Sequence, residues 1–191
     1  MSVGVIGIQG AVSEHINALK KASFNLKKDI EIIEINCSGI VNSCDAIVLT
    51  GGESTTIGRF LKEKGITEEI MGLKGKIPIL CTCAGLILAS KKSEIESEYL
   101  LNLIDVEVNR NHFGRQKNSF EIELDISFLD TPFNSIFIRA PAIVKCGMGV
   151  KVLATINNTV VAVEENGVIG LAFHPELTED CRIHEYFLSK I

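Results

Sequence analysis

The sequence predicts an α/β fold with a mostly parallel sheet and an antiparallel C-terminal portion. In the first half, short apolar runs rich in β-branched residues alternate with helix-like segments. In the second half, strand-like runs follow one another with few helices between them, and turn sequences separate the last three. The chain has 191 residues, of which 46% are hydrophobic, and it contains neither an internal repeat nor a linker, so we expect one domain over residues 1–191.

The predicted strands of the first half are short and apolar, as is typical of strands buried on both faces. They lie at residues 3–8, 30–35, 46–49 and 78–81. A short segment with glycine follows the first, third and fourth of them, at residues 9–10, 50–52 and 82–85. Such segments end a strand and allow the backbone to approach a ligand closely.

Helices are predicted between these strands. Val12, Ile16 and Leu19 lie at i, i+4 and i+7 and form one apolar face, with Ser13 near the start of that helix. A second helix is expected from about Thr55, with Ile57, Phe60 and Leu61 directed inward, and a third over residues 86–89.

The second half is predicted to be mainly antiparallel. Its strands are expected at residues 120–126, 134–138, 150–156, 160–164 and 168–173. Asn157-Asn158 and Glu165-Asn166-Gly167 are turn sequences, so the last three strands are predicted to form hairpins. Residues 180–188 are expected to close the chain as a helix.

Composition excludes several classes of function. There are 19 basic and 24 acidic residues, a net charge of -5, so we expect no nucleic-acid partner. No run approaches 18 apolar residues, and no Lys or Arg precedes Lys20. We therefore expect neither a membrane span nor a signal peptide, and a cytoplasmic location. The six cysteines are expected to be reduced thiols, and the absence of CxxC pairs indicates no zinc site.

Cys83 lies where the fourth predicted strand meets a helix. A nucleophile on such a turn stands above the sheet, and the N–H groups at the helix start favour a thiolate. The N–H of Ala84, the next residue, can then donate to an oxyanion. The same local sequence also fits a buried structural cysteine.

His174-Pro175-Glu176 follows the last predicted strand directly, at a strand end where α/β sheets place their sites. A thiol nucleophile needs a histidine base, and the histidine needs a carboxylate that fixes its tautomer. His15, His112 and His184 are expected to be structural histidines with ordinary hydrogen bonds.

Gly51-Gly52-Glu53-Ser54 follows the third predicted strand. Its glycines allow close backbone approach, and its N–H groups can line a pocket, although a plain turn has the same pattern. No Gly-Lys-Ser/Thr is present, so this is not a nucleotide-binding P-loop.

Taken together, six motifs in this order resemble the triad-type (class I) glutamine amidotransferases, and in detail the glutaminase subunits of pyridoxal 5'-phosphate synthase. They lie at residues 7–10, 49–56, 82–86, 109–116, 137–141 and 173–177. The resemblance implies a flavodoxin-like three-layer sandwich. It also implies hydrolysis of L-glutamine to L-glutamate and ammonia through a cysteinyl thioester. Ammonia would pass through a tunnel to a separate synthase subunit, which makes pyridoxal 5'-phosphate from a pentose phosphate and a triose phosphate.

The resemblance also assigns roles to residues. Cys83 would be the nucleophile, His174 the acid and base, and Glu176 the orienting carboxylate. The residues matching the family's glutamine-binding positions are Gly52, Glu53, Ser54, Arg110, Ile138 and Arg139, and the oxyanion donors would be Gly52 and Ala84. No cofactor or metal is implied. By charge, Arg110 or Arg139 suits the substrate carboxylate, and Glu53 suits its ammonium group.

One position departs from the family pattern: Cys81 stands where the family usually has glycine. Because cysteine is small, we expect the turn to form with a modest shift. The departure leaves a second thiol two residues from the nucleophile, which raises the question of oxidative inactivation.

Three alternatives stay open at this level: the glutaminase subunit of another amidotransferase, a cysteine-elbow protease, chaperone or deglycase, and a non-catalytic subunit. The cysteine-elbow proteins do not require Gly-Gly-Glu-Ser together with His-Pro-Glu, so this pair of motifs argues against them. A non-catalytic subunit need not retain Cys83, His174 and Glu176 together, so the presence of all three argues against it. A glutaminase assay with and without a synthase subunit separates these alternatives.

Overall fold

The computed structural model of this chain describes residues 1–110, 112 and 119–191. Its helices are α1 (Val12–Asn25), α2 (Ser54–Glu63), α3 (Ile66–Gly72), α4 (Ala84–Ala89) and α5 (Arg182–Leu188). Its strands are β1 (Ser2–Ile6), β2 (Glu31–Ile35), β3 (Ala46–Leu49), β4 (Ile79–Thr82), β5 (Ser90–Lys92), β6 (Ile104–Asn109), β7 (Ser119–Leu124), β8 (Phe133–Ile138), β9 (Ala142–Cys146), β10 (Lys151–Ile156), β11 (Thr159–Glu165) and β12 (Val168–Leu171). Short 3-10 turns lie at Val41–Ser43, Ser97–Tyr99 and Pro175–Leu177.

The main sheet is mixed, with the strand order β2-β1-β3-β4-β12-β11-β9-β6-β5 and β10 paired with β11. The first five strands in this order are parallel, and β11 runs antiparallel to β12. Strands β9 and β10 are antiparallel to β11, β6 is antiparallel to β9, and β5 is parallel to β6. The predicted α/β class, with a parallel part and an antiparallel C-terminal part, is confirmed.

Helices cover the sheet on both faces. The connection from β1 to β2 runs along the sheet in the opposite direction to the connection from β3 to β4. Because such crossovers are right-handed, α1 lies on one face and α2 and α3 lie on the other. Helix α5 packs on α1, and α4 packs on α2, which completes three layers.

This reversal of direction opens a crevice between the carboxyl ends of β1 and β3, where α/β sheets bind ligands. Strands β4 and β12 end at the same edge, because β4 pairs in parallel with both β3 and β12. The segments after β1, β3, β4 and β12 therefore meet around one crevice.

A separate two-stranded sheet, β7 and β8, packs beside this crevice. The rings of Phe120 and Phe137 stack with centroids 4.7 Å apart, and Phe137 lies 5.4 Å from Phe173, just after β12. The backbone N–H of His174 donates to the carbonyl oxygen of Ile136 at 2.8 Å. These contacts fix the end of β8 over the segment that carries His174.

Some elements differ from the sequence-based expectation. Helix α3 and strands β5, β6 and β9 were not predicted, although β6 alternates buried and half-buried residues as a one-sided strand does. Ser13 lies near the start of α1 as expected; the capping position is Ala11, and the Ser13 hydroxyl donates to Glu14. Phe60 is half-buried on α2, whereas Ile57 and Leu61 are buried as predicted.

The two predicted turns have the backbone that hairpins need. Asn157 and Asn158 have φ of 46° and 66°, and Asn166 and Gly167 have φ of 49° and 83°. Asparagine and glycine tolerate this left-handed region better than other residues. The antiparallel pairs β10–β11 and β11–β12 follow from these turns.

Candidate active site

The crevice contains a pocket of about 560 Å³ at the carboxyl ends of β1, β3, β4 and β12. It is lined by Gln9, Gly10, Ala11, Gly51, Gly52, Glu53, Ser54, Cys83, Ile87, Arg110, Ile138, Arg139, His174 and Leu177. Of the site residues that the sequence suggested, all lie on this lining except Ala84 and Glu176, which lie directly behind it.

Cys83 occupies a sharp turn between β4 and α4. Its φ of 48° and ψ of -102° are rare for a residue with a side chain, and such strain is typical of active-site nucleophiles. The turn is held by a 2.8 Å hydrogen bond from the Cys83 N–H to the Leu171 carbonyl oxygen. Gly85 is needed here, since a Cβ atom at this position would lie 2.1 Å from the carbonyl oxygen of Leu49.

His174 and Glu176 are joined by a short hydrogen bond. Nδ1 of His174 donates to Oε1 of Glu176 at 2.7 Å, and both side chains are almost fully buried. The 3-10 turn Pro175–Leu177 brings the two side chains together, although only one residue separates them. Burial alone would lower the pKa of His174, but hydrogen bonds with Cys83 and Glu176 outweigh it and raise the pKa to about 10.

Gly51 lies against the side chains of His174 and Cys83. A Cβ atom on Gly51 would lie 2.5 Å from Cε1 of His174 and 3.4 Å from Cβ of Cys83. A Cβ atom added to Gly10 would lie 1.7 Å from the Gly51 carbonyl oxygen, so this carbonyl group points at Gly10. Because the peptide is trans and planar, the N–H of Gly52 points away from Gly10.

The Glu53 carboxylate is hydrogen-bonded to the first turn of α2. Its carboxylate caps α2 by accepting from the N–H groups of Thr55 and Thr56 at 3.2 and 2.7 Å, and it pairs with Arg110 at 3.0 Å. Partial burial alone would raise the pKa of Glu53, but the hydrogen bond from the Thr56 hydroxyl, these two N–H bonds and the Arg110 charge lower it to about 2. Ser54, the next residue, has a buried hydroxyl with no hydrogen-bond partner among the described residues.

Ile138 and Arg139 approach from the end of β8. The Ile138 carbonyl oxygen lies 3.9 Å from Sγ of Cys83, and Arg139 has φ of 45°. Ala84 is the first residue of α4, so its N–H belongs to the helix start, where N–H groups lack an intrahelical acceptor.

Gln9 and His15, which lie at and behind the pocket, were not among the predicted site residues. Gln9 lines the pocket, and its carbonyl oxygen accepts from the Thr50 hydroxyl at 3.1 Å. His15, expected to be an ordinary structural histidine, has Nε2 3.3 Å from Oε2 of Glu176. The motif at residues 7–10 was a signal for Gln9, whereas no local pattern indicated the contact of His15.

Cys81 lies in β4, fully buried, and pairs in register with Leu49 of β3 and Gly170 of β12. The turn at Cys83 forms with this cysteine in place. Burial raises the pKa of the Cys81 thiol far above its usual value, so Cys81 stays protonated and is a poor partner for oxidation. All six cysteines are free thiols.

Of the motif at residues 109–116, Asn109, Arg110 and His112 are described, and the remaining positions lie outside the described residues. Within the described part of the chain, no group of three or more His, Cys, Asp or Glu side chains could hold a metal ion. In the same part, no helix is both long and apolar enough to cross a membrane.

Known proteins of similar sequence are abundant. The sequence model of the SNO glutamine amidotransferase family matches residues 5–191. The chain is 53% identical to the pyridoxal 5'-phosphate synthase subunit PdxT of Methanococcoides burtonii, over 100% of this chain and 99% of that protein. It is 53% identical to PdxT of Methanosarcina mazei and 51% identical to PdxT of Thermococcus onnurineus, in each case over 100% of this chain and 98% of the relative.

Solved structures agree with the fold. A crystal structure of a glutamine amidotransferase superimposes with a TM-score of 0.89 at 39% identity, covering 98% of this chain and 97% of that one. A glutamine amidotransferase of Thermotoga maritima, at 16% identity and a TM-score of 0.60, covers 96% of this chain and 80% of that one and shares the fold. The match over residues 5–191, together with these identities, shows that the chain belongs to the SNO glutamine amidotransferase family.

Proposed function

We propose that this chain hydrolyses L-glutamine to L-glutamate and ammonia and delivers the ammonia to a synthase subunit that makes pyridoxal 5'-phosphate. The observation that carries the proposal is the arrangement of Cys83, His174 and Glu176: a strained cysteine and a histidine bonded at 2.7 Å to a carboxylate share one pocket. Family membership and the names of the relatives support glutamine as substrate and the synthase as partner.

Cys83 is the proposed nucleophile. A primary amide is a poor electrophile and ammonia is a poor leaving group, so splitting the hydrolysis through a thioester lowers both barriers. The thiolate of Cys83 attacks the side-chain carbonyl carbon of glutamine and forms a tetrahedral adduct. The raised pKa of His174 keeps its imidazole protonated beside the cysteine, which favours the thiolate.

His174 moves the protons in both halves of the reaction. Its Nδ1–H is bonded to Glu176, so its Nε2 is the nitrogen available to the reacting groups. In the first half, His174 protonates the nitrogen, ammonia leaves and the thioester forms. In the second half, His174 takes a proton from water, which attacks the thioester and releases glutamate and the Cys83 thiolate.

The negative charge on the adduct needs N–H donors. Ala84 supplies one at the start of α4, where the helix dipole also favours an anion. Gly52 supplies the second proposed donor, from a peptide between two glycines that can rotate at little cost because glycine tolerates positive φ.

The ion pair of Glu53 and Arg110 suits the zwitterionic end of glutamine. Both side chains line the pocket, and the pair presents one negative and one positive group 3.0 Å apart. Arg110 or Arg139 is proposed to bind the α-carboxylate. The Glu53 carboxylate, anchored by α2, faces the ammonium group, and the Ser54 hydroxyl and the Ile138 backbone complete the binding site.

The test measures glutamate and ammonia released from L-glutamine, alone and with a cognate synthase subunit. Cys83→Ala is expected to remove the activity while the fold persists, and the matched variant Cys81→Ala is expected to keep most of it. Formation of pyridoxal 5'-phosphate from glutamine, a pentose phosphate and a triose phosphate identifies the partner. An active Cys83→Ala with a dead Cys81→Ala would mean that the wrong thiol is assigned, and ammonia release without pyridoxal 5'-phosphate would favour another amidotransferase.

A further inference from the structure

Two buried histidines that the proposed chemistry does not use lie behind Glu176. Nε2 of His15 lies 3.3 Å from Oε2 of Glu176 and 3.1 Å from the Thr82 hydroxyl oxygen. Nδ1 of His15 lies 3.1 Å from Nε2 of His184. Neither histidine is exposed to solvent. A continuous row of polar groups therefore runs from the pocket through His174 and Glu176 to His15 and His184.

Four different elements contribute to this row. His15 lies on α1, Thr82 ends β4 one residue before the nucleophile, His184 lies on α5, and Glu176 lies in the 3-10 turn after β12. Helices α1 and α5 pack against each other, and α1 also contacts the 3-10 turn. The row therefore ties the position of α1 to that of the carboxylate that orients His174.

Hydrogen-bond geometry decides where the protons lie. Burial lowers the pKa of His184 to about 4, and burial, followed by the charges of His184 and His174, lowers that of His15 well below its usual value. Both rings are therefore neutral near pH 7, with one N–H each. A carboxylate only accepts, so the His15 proton belongs on Nε2, which faces Glu176.

The proton position on His184 then follows from that on His15. With its proton on Nε2, His15 accepts at Nδ1 from the Nε2–H of His184. This leaves Nδ1 of His184 as a lone pair, and that atom has no hydrogen-bond partner among the described residues. The arrangement of protons is therefore set by Glu176, because only an N–H at Nε2 of His15 can face its carboxylate favourably.

We propose that His15 is a positioning residue of the triad, whose Nε2–H holds the second oxygen of Glu176 while His184 fixes the tautomer of His15. Such partners of a catalytic carboxylate hold the orientation of the histidine that it supports. The role rests on the proposed glutaminase function, since it acts through His174 and Cys83.

Glu176 needs this second contact. Its side chain is fully buried, and Oε2 has no full hydrogen bond among the described residues, so the 3.3 Å approach of His15 is what faces it. The His15 Nε2–H faces both the Thr82 hydroxyl oxygen at 3.1 Å and Oε2 of Glu176 at 3.3 Å. A buried carboxylate oxygen without a partner carries a large desolvation penalty, and a carboxylate free to rotate would lose its 2.7 Å bond to His174.

The experiment compares three variants by glutamine hydrolysis in the presence of the synthase subunit. His15→Leu removes the donor, His15→Gln keeps an amide N–H near the position of Nε2, and Ser23→Ala removes a buried hydroxyl from the same helix, remote from the triad. By analogy with carboxylate partners of metal-bound histidines, we expect His15→Leu to lower kcat by about 10- to 100-fold, with KM changed by less than about twofold. His15→Gln should recover most of kcat, and Ser23→Ala should leave it unchanged.

A double-mutant cycle separates positioning from a general loss of stability. In the Glu176→Gln background, His15→Leu should lower kcat by less than about twofold further, because the two residues act as a unit. Thermal unfolding reports whether each variant is folded. Should His15→Leu not fold, His15→Asn takes its place, because its shorter amide reaches only the position of Nδ1.

Alkylation of Cys83 by iodoacetamide, followed by mass spectrometry, gives a readout without glutamine. We expect slower labelling of Cys83 at pH 7 in His15→Leu and recovery in His15→Gln, with labelling of the exposed Cys37 unchanged. If the wild-type chain releases no ammonia, the proposed function fails, and the alkylation series alone decides the role of His15. The positioning role is overturned if Cys83 in folded His15→Leu is alkylated at the wild-type rate, or if His15→Gln recovers neither kcat nor the rate of alkylation. It is also overturned if the decreases in kcat caused by His15→Leu and Glu176→Gln are additive in the double variant.

Discussion

Gly51→Ala tests the geometry of the site most directly. The substitution adds one methyl group between Cys83 and His174, the proposed nucleophile and base, without removing any functional atom. The backbone of Gly51 lies outside the left-handed region, so alanine adopts its conformation without strain. The expected effect is therefore on the reaction and not on the fold.

The size of the effect follows from the contact distances. The new Cβ would lie 2.5 Å from Cε1 and 3.1 Å from Nδ1 of His174, whereas ordinary van der Waals contact begins at 3.4 Å. The imidazole must therefore move away by about 1 Å, and a misplacement of that size can lower the rate by about 10²-fold. Movement of the ring also stretches its 2.7 Å bond to Glu176.

The assay is steady-state glutamine hydrolysis with the synthase subunit, together with thermal unfolding of each variant. Gly72→Ala is the matched control, because a Cβ at Gly72, the last residue of α3, meets no atom within 4 Å. We expect kcat of Gly51→Ala to fall by about two orders of magnitude. The melting temperature should stay close to that of wild type, and Gly72→Ala should retain wild-type kcat.

Two results would refute this reasoning. A folded Gly51→Ala with kcat within about twofold of wild type would mean that the positions of His174 and Cys83 tolerate a 1 Å shift, contrary to the expected sensitivity. A large loss accompanied by unfolding would mean that Gly51 serves the turn itself.

Three further predictions concern the triad, the partner and pH. His174→Asn should lower kcat more than Glu176→Gln, on the order of tenfold or more, because the histidine moves protons in both half-reactions and the carboxylate orients it; equal, mild losses would remove both residues from the triad. The isolated chain should be a weak glutaminase that the synthase subunit activates, because rotation of the Gly51-Gly52 peptide can remove an oxyanion donor that contributes about 10²- to 10³-fold. Equal rates with and without the subunit would exclude this gating. The free energy of unfolding should fall as the pH drops from about 6.5 towards 4, because burial lowers the pKa of His15 and His184, so the unfolded chain binds protons that the folded chain excludes. Urea unfolding at pH 7 and pH 5 measures this loss of stability. The loss between the two pH values should be smaller in His184→Gln than in the wild-type chain, and an equal loss would mean that His184 does not contribute to the pH dependence.

Much of the fold could be predicted from local patterns. The alternation of apolar runs and helical faces in the first half indicated the parallel strands, because burial on both faces imposes short, continuous apolar runs. The turn at Asn157-Asn158 predicted a hairpin because few residues tolerate its positive φ. Helix α3, with seven residues, and β5, with three, were missed.

The residues proposed to carry the chemistry also lie in recognisable local patterns, each beside its own strand end. Cys83 at a strand–helix junction and His174-Pro175-Glu176 after a strand are local features that a reading of the chain can find. Their roles, however, depended on the family resemblance, since each short motif alone also fits a structural residue.

The tertiary structure decided which of these residues meet. Parallel pairing of β4 with β12, in the register that sets Thr82 opposite Leu171, brings Cys83 to the same sheet edge as His174. The contact of His15 with Glu176 needs α1 to pack beside the 3-10 turn and α5. Strand order and helix packing depend on contacts between residues far apart in the chain, so local periodicity does not encode them. The sequence by itself therefore determined which groups could react, and the packing of the sheet and helices determined which of them stand together.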